Sequence, residues 1–333
     1  MAKGLDVGTS YIVLSQDQNG NISYKDFRDA FYIIKPTTPV ATKMIEKGLS
    51  GKVFTKDTDG SFIILGKDAI EKAVERNDAA KRPMYRGVVS AKEKDAKRIL
   101  AFILKEVVGT ASEPGEKIVF CVPAQPVDQQ DEDFDVGYHE DVVKIVLGEC
   151  GYDASSINEA EALCYSELES DDYTGIGISC GAGMTNVCVM LNGEPTVIFS
   201  TTKSGDWIDR MSAVATGETD SVVQAEKEGG EFKIGEPNDN PVLAAVSAYY
   251  ERLIDYTTKQ LAFALTNHKS LPKFKNPLKI VVAGGTSQAK GYVENFSKKL
   301  VENNFPLPIK EVLHASDPLH AVSKGCLIAS KIL

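Results

Sequence analysis

The chain has 333 residues, with 37 lysines and arginines against 47 aspartates and glutamates, for a formal net charge of −10. That length suits two domains of ordinary size. The charge excludes nucleic acid as the main partner and a polybasic membrane anchor, since both need clustered lysine and arginine.

With 43% hydrophobic and 25% charged residues, the composition is that of a soluble globular protein. No apolar run is long enough to span a bilayer, and "MAKGLDVGTS" lacks the apolar core of a secretory leader. A cytoplasmic location without direct membrane insertion is therefore expected. The six cysteines are scattered through apolar runs with no CxxC pair, which reads as buried free thiols in a reducing compartment. The four histidines are equally dispersed and suggest neither a zinc site nor a catalytic triad.

From the N-terminus, "KGLDVGTSYIVLSQDQNGNISYKDF" predicts a strand, a Gly-Thr-Ser turn, a second strand and an Asn-Gly turn into a third segment. Residues 30–85 read as a small insertion, with strand candidates in "FYIIKP" and "SFIILGKDA" and a polar helix near "DAIEKAVERN". "SAKEKDAKRILAFILKEVVG" predicts a helix opened by a capping box of Ser90 and Glu93. Ile99, Leu100, Ile103 and Val107 form its apolar face, and Gly109 stops it. "EKIVFCVPA" is a buried strand and "HEDVVKIVLGECG" a second helix, so the first half is an α/β layered domain.

The second half repeats the pattern. "TGIGISCGAGMTNVCVMLNGEPTVIFS" is strand, glycine turn, strand, Asn-Gly turn, strand. A less ordered segment follows, then a long helix capped by Asn240 with Pro241 in its first turn and Val242, Val246, Tyr249, Leu253 and Tyr256 along one face. "PLKIVVAGGTSQAKGY" is a strand, a glycine turn and a helix start, and "DPLHAVSKGCLIASKIL" is a closing small-residue helix. Laid over each other from the first glycine, "GLDVGTSYIVL" and "GISCGAGMTNVCVM" place Asp6 on Ser179 and Gly8 on Gly181. A hairpin duplicated once per half suggests two similar domains facing across a cleft.

Each glycine turn alone is an ordinary tight turn; three in order, at strand ends, point to a polyphosphate clamp. Glycines let backbone N–H groups reach phosphate oxygens. Thr9, Ser10 and Thr185 add hydroxyl donors, and Asp6 is placed to hold a hydrated divalent ion through water.

On these residues the chain resembles the superfamily of actin, sugar kinases and 70-kDa heat-shock chaperones. Five landmarks carry the resemblance in order: "LDVGTSYIVLS" (5–15), "INEAEALCYSE" (157–167), "ISCGAGMTNVCVM" (178–190), "VVAGGTSQAKGY" (281–292) and "DPLHAVSKGCLIAS" (317–330). Among its branches it looks most like prokaryotic actins of the MreB and MamK type. The resemblance implies an actin-like α/β fold: two domains of mixed sheet flanked by helices, duplicated ribonuclease H-like cores, with a nucleotide cleft between them. The expected division is residues 1–150 with an insertion at about 30–85, and 151–333 with an insertion at about 207–271. The closing helix, 317–333, would return to the interface.

The resemblance also implies ATP or ADP with Mg²⁺ as cofactors. Asp6, Gly8, Thr9, Ser10 and Tyr11 match the first phosphate loop. Gly181, Ala182, Gly183, Met184 and Thr185 match the second. Gly205 and Asp206 match a Gly-Asp element beside the nucleotide, and Lys227 and Glu228 the pair that reaches ribose and base. Gly284, Gly285, Thr286 and Gln288 match the adenosine loop, and Glu159 the acid that positions the attacking water.

Ser179 departs from the pattern, because relatives place aspartate there; serine still hydrogen-bonds a water but adds no charge. Met184 replaces a common hydroxyl residue, and Asn186 a common acid. The function implied is a filament-forming actin that binds ATP/Mg²⁺, assembles head to tail and hydrolyses slowly, with an adaptor or cargo protein as further partner. Two alternatives stand beside it, a non-polymerising chaperone-like or pseudo-ATPase module and a small-molecule kinase.

Overall fold

A computed structural model describes residues 2–129 and 134–333. Two five-stranded sheets are built to one plan. In the first, the order is Tyr152–Asn158, Glu116–Val122, Lys3–Val7, Tyr11–Gln18, Asn21–Arg28. The second runs Ile309–His314, Leu278–Ala283, Gly175–Cys180, Thr185–Leu191, Glu194–Thr201. In both, an antiparallel three-strand meander is extended by two parallel strands. The two leading hairpins turn alike: Gly8 N–H donates to Tyr11 O, and Gly181 N–H to Met184 O, each at 3.0 Å. Asp6 pairs with Val13 across the first hairpin, and Ser179 with Asn186 across the second.

The first sheet's core is sealed by helices Ala96–Val108 and Val136–Glu149, the second's by Pro241–Asn267 and Tyr292–Glu302. A third cluster lies between the sheets. It is made of small side chains such as Ala160, Cys164, Cys188 and Cys326, on helices Glu159–Glu167 and Ala321–Ser330 and the strands they cover. Residues 124–128 tie the halves together on one side: Ser200 Oγ donates to Ala124 O (2.7 Å), and Tyr256 Oη to Asp128 Oδ2 (3.0 Å). The first sheet extends to Asn158, so the chain crosses to the second through helix Glu159–Glu167. All six cysteines are buried free thiols. Among the described residues no helix is long and apolar enough to cross a membrane.

Several elements differ from the sequence expectation. The helix expected from Ser90 begins at Ala96 with Asp95 as its cap. Ser90 Oγ instead accepts from Lys92 N–H, and Glu93 turns to Lys81. The run Lys92–Asp95 has no apolar side chain to bury, so it stays in turns. The segment read as less ordered holds helices Gly205–Thr216 and Asp220–Gly229, the first stopped by Gly217 at φ 78° and the second capped by Thr219. The long helix is capped by Asn240 as expected, but its buried face runs through Leu243, Val246, Tyr250, Leu253 and Leu261, leaving Val242, Tyr249 and Tyr256 half-buried on its flank.

Ahead of the closing helix, His320 joins two parts of the chain. Its Nδ1 meets Asp317 Oδ2 at 2.7 Å, its Nε2 meets Asp26 Oδ1 at 2.9 Å, and Tyr24 stacks on the ring at 4.2 Å. Both nitrogens face carboxylates, an arrangement that only the doubly protonated ring satisfies. Burial opposes the charge, but the hydrogen bonds to Asp317 and Asp26 outweigh it and raise the pKa above the ordinary 6.5. A raised folded-state pKa gives stability that is full below about pH 6.5 and is lost as pH rises through the folded value. His320→Gln is expected to flatten that part of the pH–stability curve in thermal melts; parallel curves for variant and wild type would refute the link.

Candidate functional site

The two hairpin turns face each other across a cavity of about 470 Å³, with Gly284–Gln288 as a third wall. Their backbone has the kind of donors that an anion would need. Among the described residues, the N–H groups of Thr9, Ser10, Ala182 and Gly183 have no backbone partner. The second turn is held from behind: Gly181 O accepts from Ser204 Oγ (2.5 Å) and Thr286 Oγ1 (2.7 Å), and Ala182 O from Asp206 N–H (2.8 Å). Glycine is required where the walls meet. A Cβ on Gly183 would sit 2.4 Å from Thr9 Oγ1 and 2.9 Å from Gly87 N. Gly87, at φ 77°, forms the tip of the hairpin Met84–Val89 and donates its N–H to Thr9 Oγ1 at 2.8 Å.

The floor carries two carboxylates. Asp6, near the end of strand Lys3–Val7, accepts from Cys121 Sγ at 3.1 Å. Glu159 is the first residue of its helix. The cap fixes its position: Asn158 Oδ1 accepts from Ala160 N–H (2.9 Å), and Glu161 reaches back to Asn158 N–H (3.4 Å).

Ser179 and Asn186 both serve Glu159. Ser179 Oγ donates to Glu159 Oε1 at 2.5 Å, and Asn186 Nδ2 to Oε2 at 2.8 Å. The Asn186 amide cannot flip without loss, because its Oδ1 accepts from Ala124 N–H at 2.9 Å. Burial raises Asp6 to about 6 and, with the added repulsion of Asp6, raises Glu159 to about 8. A bound divalent cation would reverse both shifts.

No cluster of three or more His, Cys, Asp or Glu side chains able to hold a metal exists among the described residues. A magnesium ion can be held by one carboxylate with phosphate oxygens and water completing its shell, and Asp6 could supply that carboxylate.

All but one of the expected site residues line this cavity: Asp6, Gly8, Thr9, Ser10, Tyr11, Glu159, Ser179, Gly181–Met184, Gly205, Asp206, Lys227, Glu228, Gly284–Thr286 and Gln288. Thr185 does not. It is fully buried behind the turn, with Oγ1 donating to Lys203 O at 3.0 Å. Two of the others are held in salt bridges. Asp206 is held by a two-pronged contact from Arg82 (2.9 and 3.2 Å), and Lys227 is paired with Asp209 at 2.7 Å. The cavity also takes in Arg28, Gly87, Asp209, Gln224, Phe232, Tyr250 and Leu319, which the sequence reading did not name. Asp209 was within reach, three residues after Asp206 on one helix face in "GDWID". Arg28 and Phe232 sit in segments with no motif.

A family model described as Volactin matches residues 1–330. The chain belongs to the volactin family. Its fold is that of the actin-like ATPases, as expected from the five landmarks. Volactin family membership thus joins a structural likeness that covers nearly the whole chain. The structure of the "MamK double helical filament" is 19% identical, covers 99% of this chain and 98% of its own, and superposes with a TM-score of 0.74. MreB5 of Spiroplasma citri bound to AMPPNP is 15% identical over 99% of this chain and 96% of its own, TM-score 0.68. The ethanolamine utilization protein EutJ from Carboxydothermus hydrogenoformans is 16% identical over 98% and 89%, TM-score 0.54. No curated protein matches the chain.

Proposed function

We propose that this volactin binds ATP with Mg²⁺ between its two hairpin turns, assembles head to tail into filaments, and hydrolyses the nucleotide slowly. The observation that carries the binding step is the pair of matched turns, each closed by the same 3.0 Å hydrogen bond and each offering to one cavity N–H groups that, among the described residues, have no backbone partner. Asp6 holds the hydrated metal and the turns hold the phosphates. Gly284–Gln288, Lys227 and Glu228 form the nucleoside wall. Glu159 orients the attacking water, as a carboxylate steadied by Ser179 and Asn186. Filament assembly is supported by the likeness to the MamK filament, and nucleotide binding by the likeness to MreB5 bound to AMPPNP. A head-to-tail contact repeated along one axis gives an open polymer.

Sedimentation and electron microscopy with ATP, with ADP and without nucleotide test the assembly. Polymer that depends on ATP supports it. A discrete oligomer, unchanged by nucleotide across salt and protein concentration, refutes it in favour of a non-polymerising module.

Slow hydrolysis is tested at Ser179. Ser179→Asp introduces the carboxylate that the resemblance implies at this position and is expected to raise magnesium-dependent phosphate release at least tenfold, roughly the scale of one preorganised charge at such a site. It also places a third carboxylate beside Asp6 and Glu159, so the nucleotide-free protein should melt earlier. Unchanged phosphate release would sink the account of slow turnover.

A further inference from the structure

One side chain in the cleft has no part in the scheme above. Arg28 ends strand Asn21–Arg28 and pairs there with Tyr11, directly after the first turn. Cross-strand partners share one face of a sheet, and so does Val13, two residues beyond Tyr11. All three line the cavity. The guanidinium lies 4.4 Å from the centre of the Tyr11 ring, which holds its plane, and one nitrogen donates to Ser10 Oγ at 3.0 Å. That contact engages one of the five N–H donors of an arginine.

The charge balance of the cavity gives Arg28 its meaning. Five carboxylates line the cavity: Asp6, Glu159, Asp206, Asp209 and Glu228. Two cations face them, Arg28 and Lys227, and Lys227 is already neutralised by Asp209. Among the described residues Arg28 forms no salt bridge, so it is the lining cation left for an incoming anion. It also stands at the correct end of the cleft. Its anchor, Ser10, belongs to the first phosphate turn, whereas Lys227 bonds toward Gly205 and Asp209 on the second half.

We propose that Arg28 is a phosphate-binding residue, its guanidinium fork taking oxygens of the polyphosphate held between the two turns. The inference rests on the nucleotide reading above and adds to it a ligand outside the five landmarks. Arginine suits the task better than lysine, because its planar fork matches two phosphate oxygens at once and stacking on Tyr11 pre-orders it.

Calorimetric titration of wild type, Arg28→Gln and Arg28→Lys with ATP, ADP and AMP, each with Mg²⁺, tests the proposal. Arg28→Gln is expected to weaken ATP roughly ten- to a hundredfold, the usual worth of a hydrogen bond to a charged group. The penalty should shrink as phosphates are removed. Arg28→Lys, which keeps the charge and loses the fork, should fall between. Equal penalties for all three nucleotides, or none, overturn the proposal by reducing Arg28 to a partner of Tyr11. If Arg28→Gln does not fold, the ATP-to-AMP ratio of Arg28→Lys decides: a ratio equal to that of wild type overturns it. A wild type that binds none of the three overturns the nucleotide reading itself, an outcome distinct from failure at Arg28.

Discussion

Glu159→Gln is expected to reduce phosphate release roughly a hundredfold or more, the usual worth of a positioned proton acceptor, with nucleotide binding retained. The substitution suits the local geometry. The oxygen of the new amide would accept from Asn186 Nδ2, whose direction is fixed by Ala124 N–H, and its nitrogen would donate to the Ser179 hydroxyl, which is free to turn. Shape and hydrogen bonds survive; the charge and the proton acceptor are lost.

The same variant has a second readout without nucleotide or metal. Burial moves Glu159 from an ordinary 4.5 to about 8, so its contribution to stability is full below pH 4.5 and lost as pH rises toward 8. A glutamine carries no such slope, so the variant should gain stability over wild type across that interval in thermal melts. A constant gap between the two curves would mean that Glu159 is not held against its charge. Undiminished phosphate release would remove it from the hydrolytic step.

The two halves were legible because local signals and periodicity agree at their hairpins. "GLDVGTSYIVL" and "GISCGAGMTNVCVM" each put a glycine turn between apolar runs, and the turns proved to be equivalent. Strands Tyr152–Asn158 and Ile309–His314 escaped notice because neither is a buried apolar run. They lie at the sheet edges, where "YDASSIN" and "IKEVLH" need only one apolar face. Helices Gly205–Thr216 and Asp220–Gly229 were missed where mixed polarity outweighed the Gly217 stop and the Thr219 cap. In both cases tertiary context supplies order that local propensity does not.

The site divides in the same way. Backbone-built parts show in the sequence, because glycine is nearly obligatory where turns approach each other. Side chains that enter from neighbouring elements do not. Arg28 arrives from the third strand and Phe232 from the loop after Asp220–Gly229. The partnership of Ser179 and Asn186 was hidden differently. Neither carries a charge, and seven positions separate them in the sequence. Their strand register places them opposite each other, and both donate to Glu159. A carboxylate at each position would instead leave Glu159 facing acids on two sides as well as Asp6. The Ser179 hydroxyl and the Asn186 amide give Glu159 two donors in place of that repulsion.

Gly325→Ala is expected to cost about 3 kcal/mol or more, the upper end of overpacking effects, although it adds a single methyl group. The reason lies where the two connecting helices cross. A Cβ on Gly325 would lie 1.8 Å from Ala162 O and 2.4 Å from Ala162 C, and neither atom belongs to a side chain able to turn aside. The helices touch backbone to backbone there, and the neighbouring Ala160, Ala321 and Cys164 are small for the same reason. The strand beneath is equally close, since a Cβ on Gly4 would meet Leu327 N and Ser323 O at 2.2 Å. Relief therefore requires moving helix Ala321–Ser330 or Glu159–Glu167 bodily, and Glu159 begins the second of these. The variant should lower the denaturation midpoint and also weaken nucleotide binding, because displacement of that helix moves the cleft floor. Gly48→Ala is the matched control. Gly48 ends an exposed helix with nothing within 4 Å of its added Cβ, so the same methyl group should leave stability unchanged or raise it by up to about 1 kcal/mol. Equal midpoints for the two variants would show that the crossing helices have slack, and that the small residues at their contact do not fix the distance between the two halves.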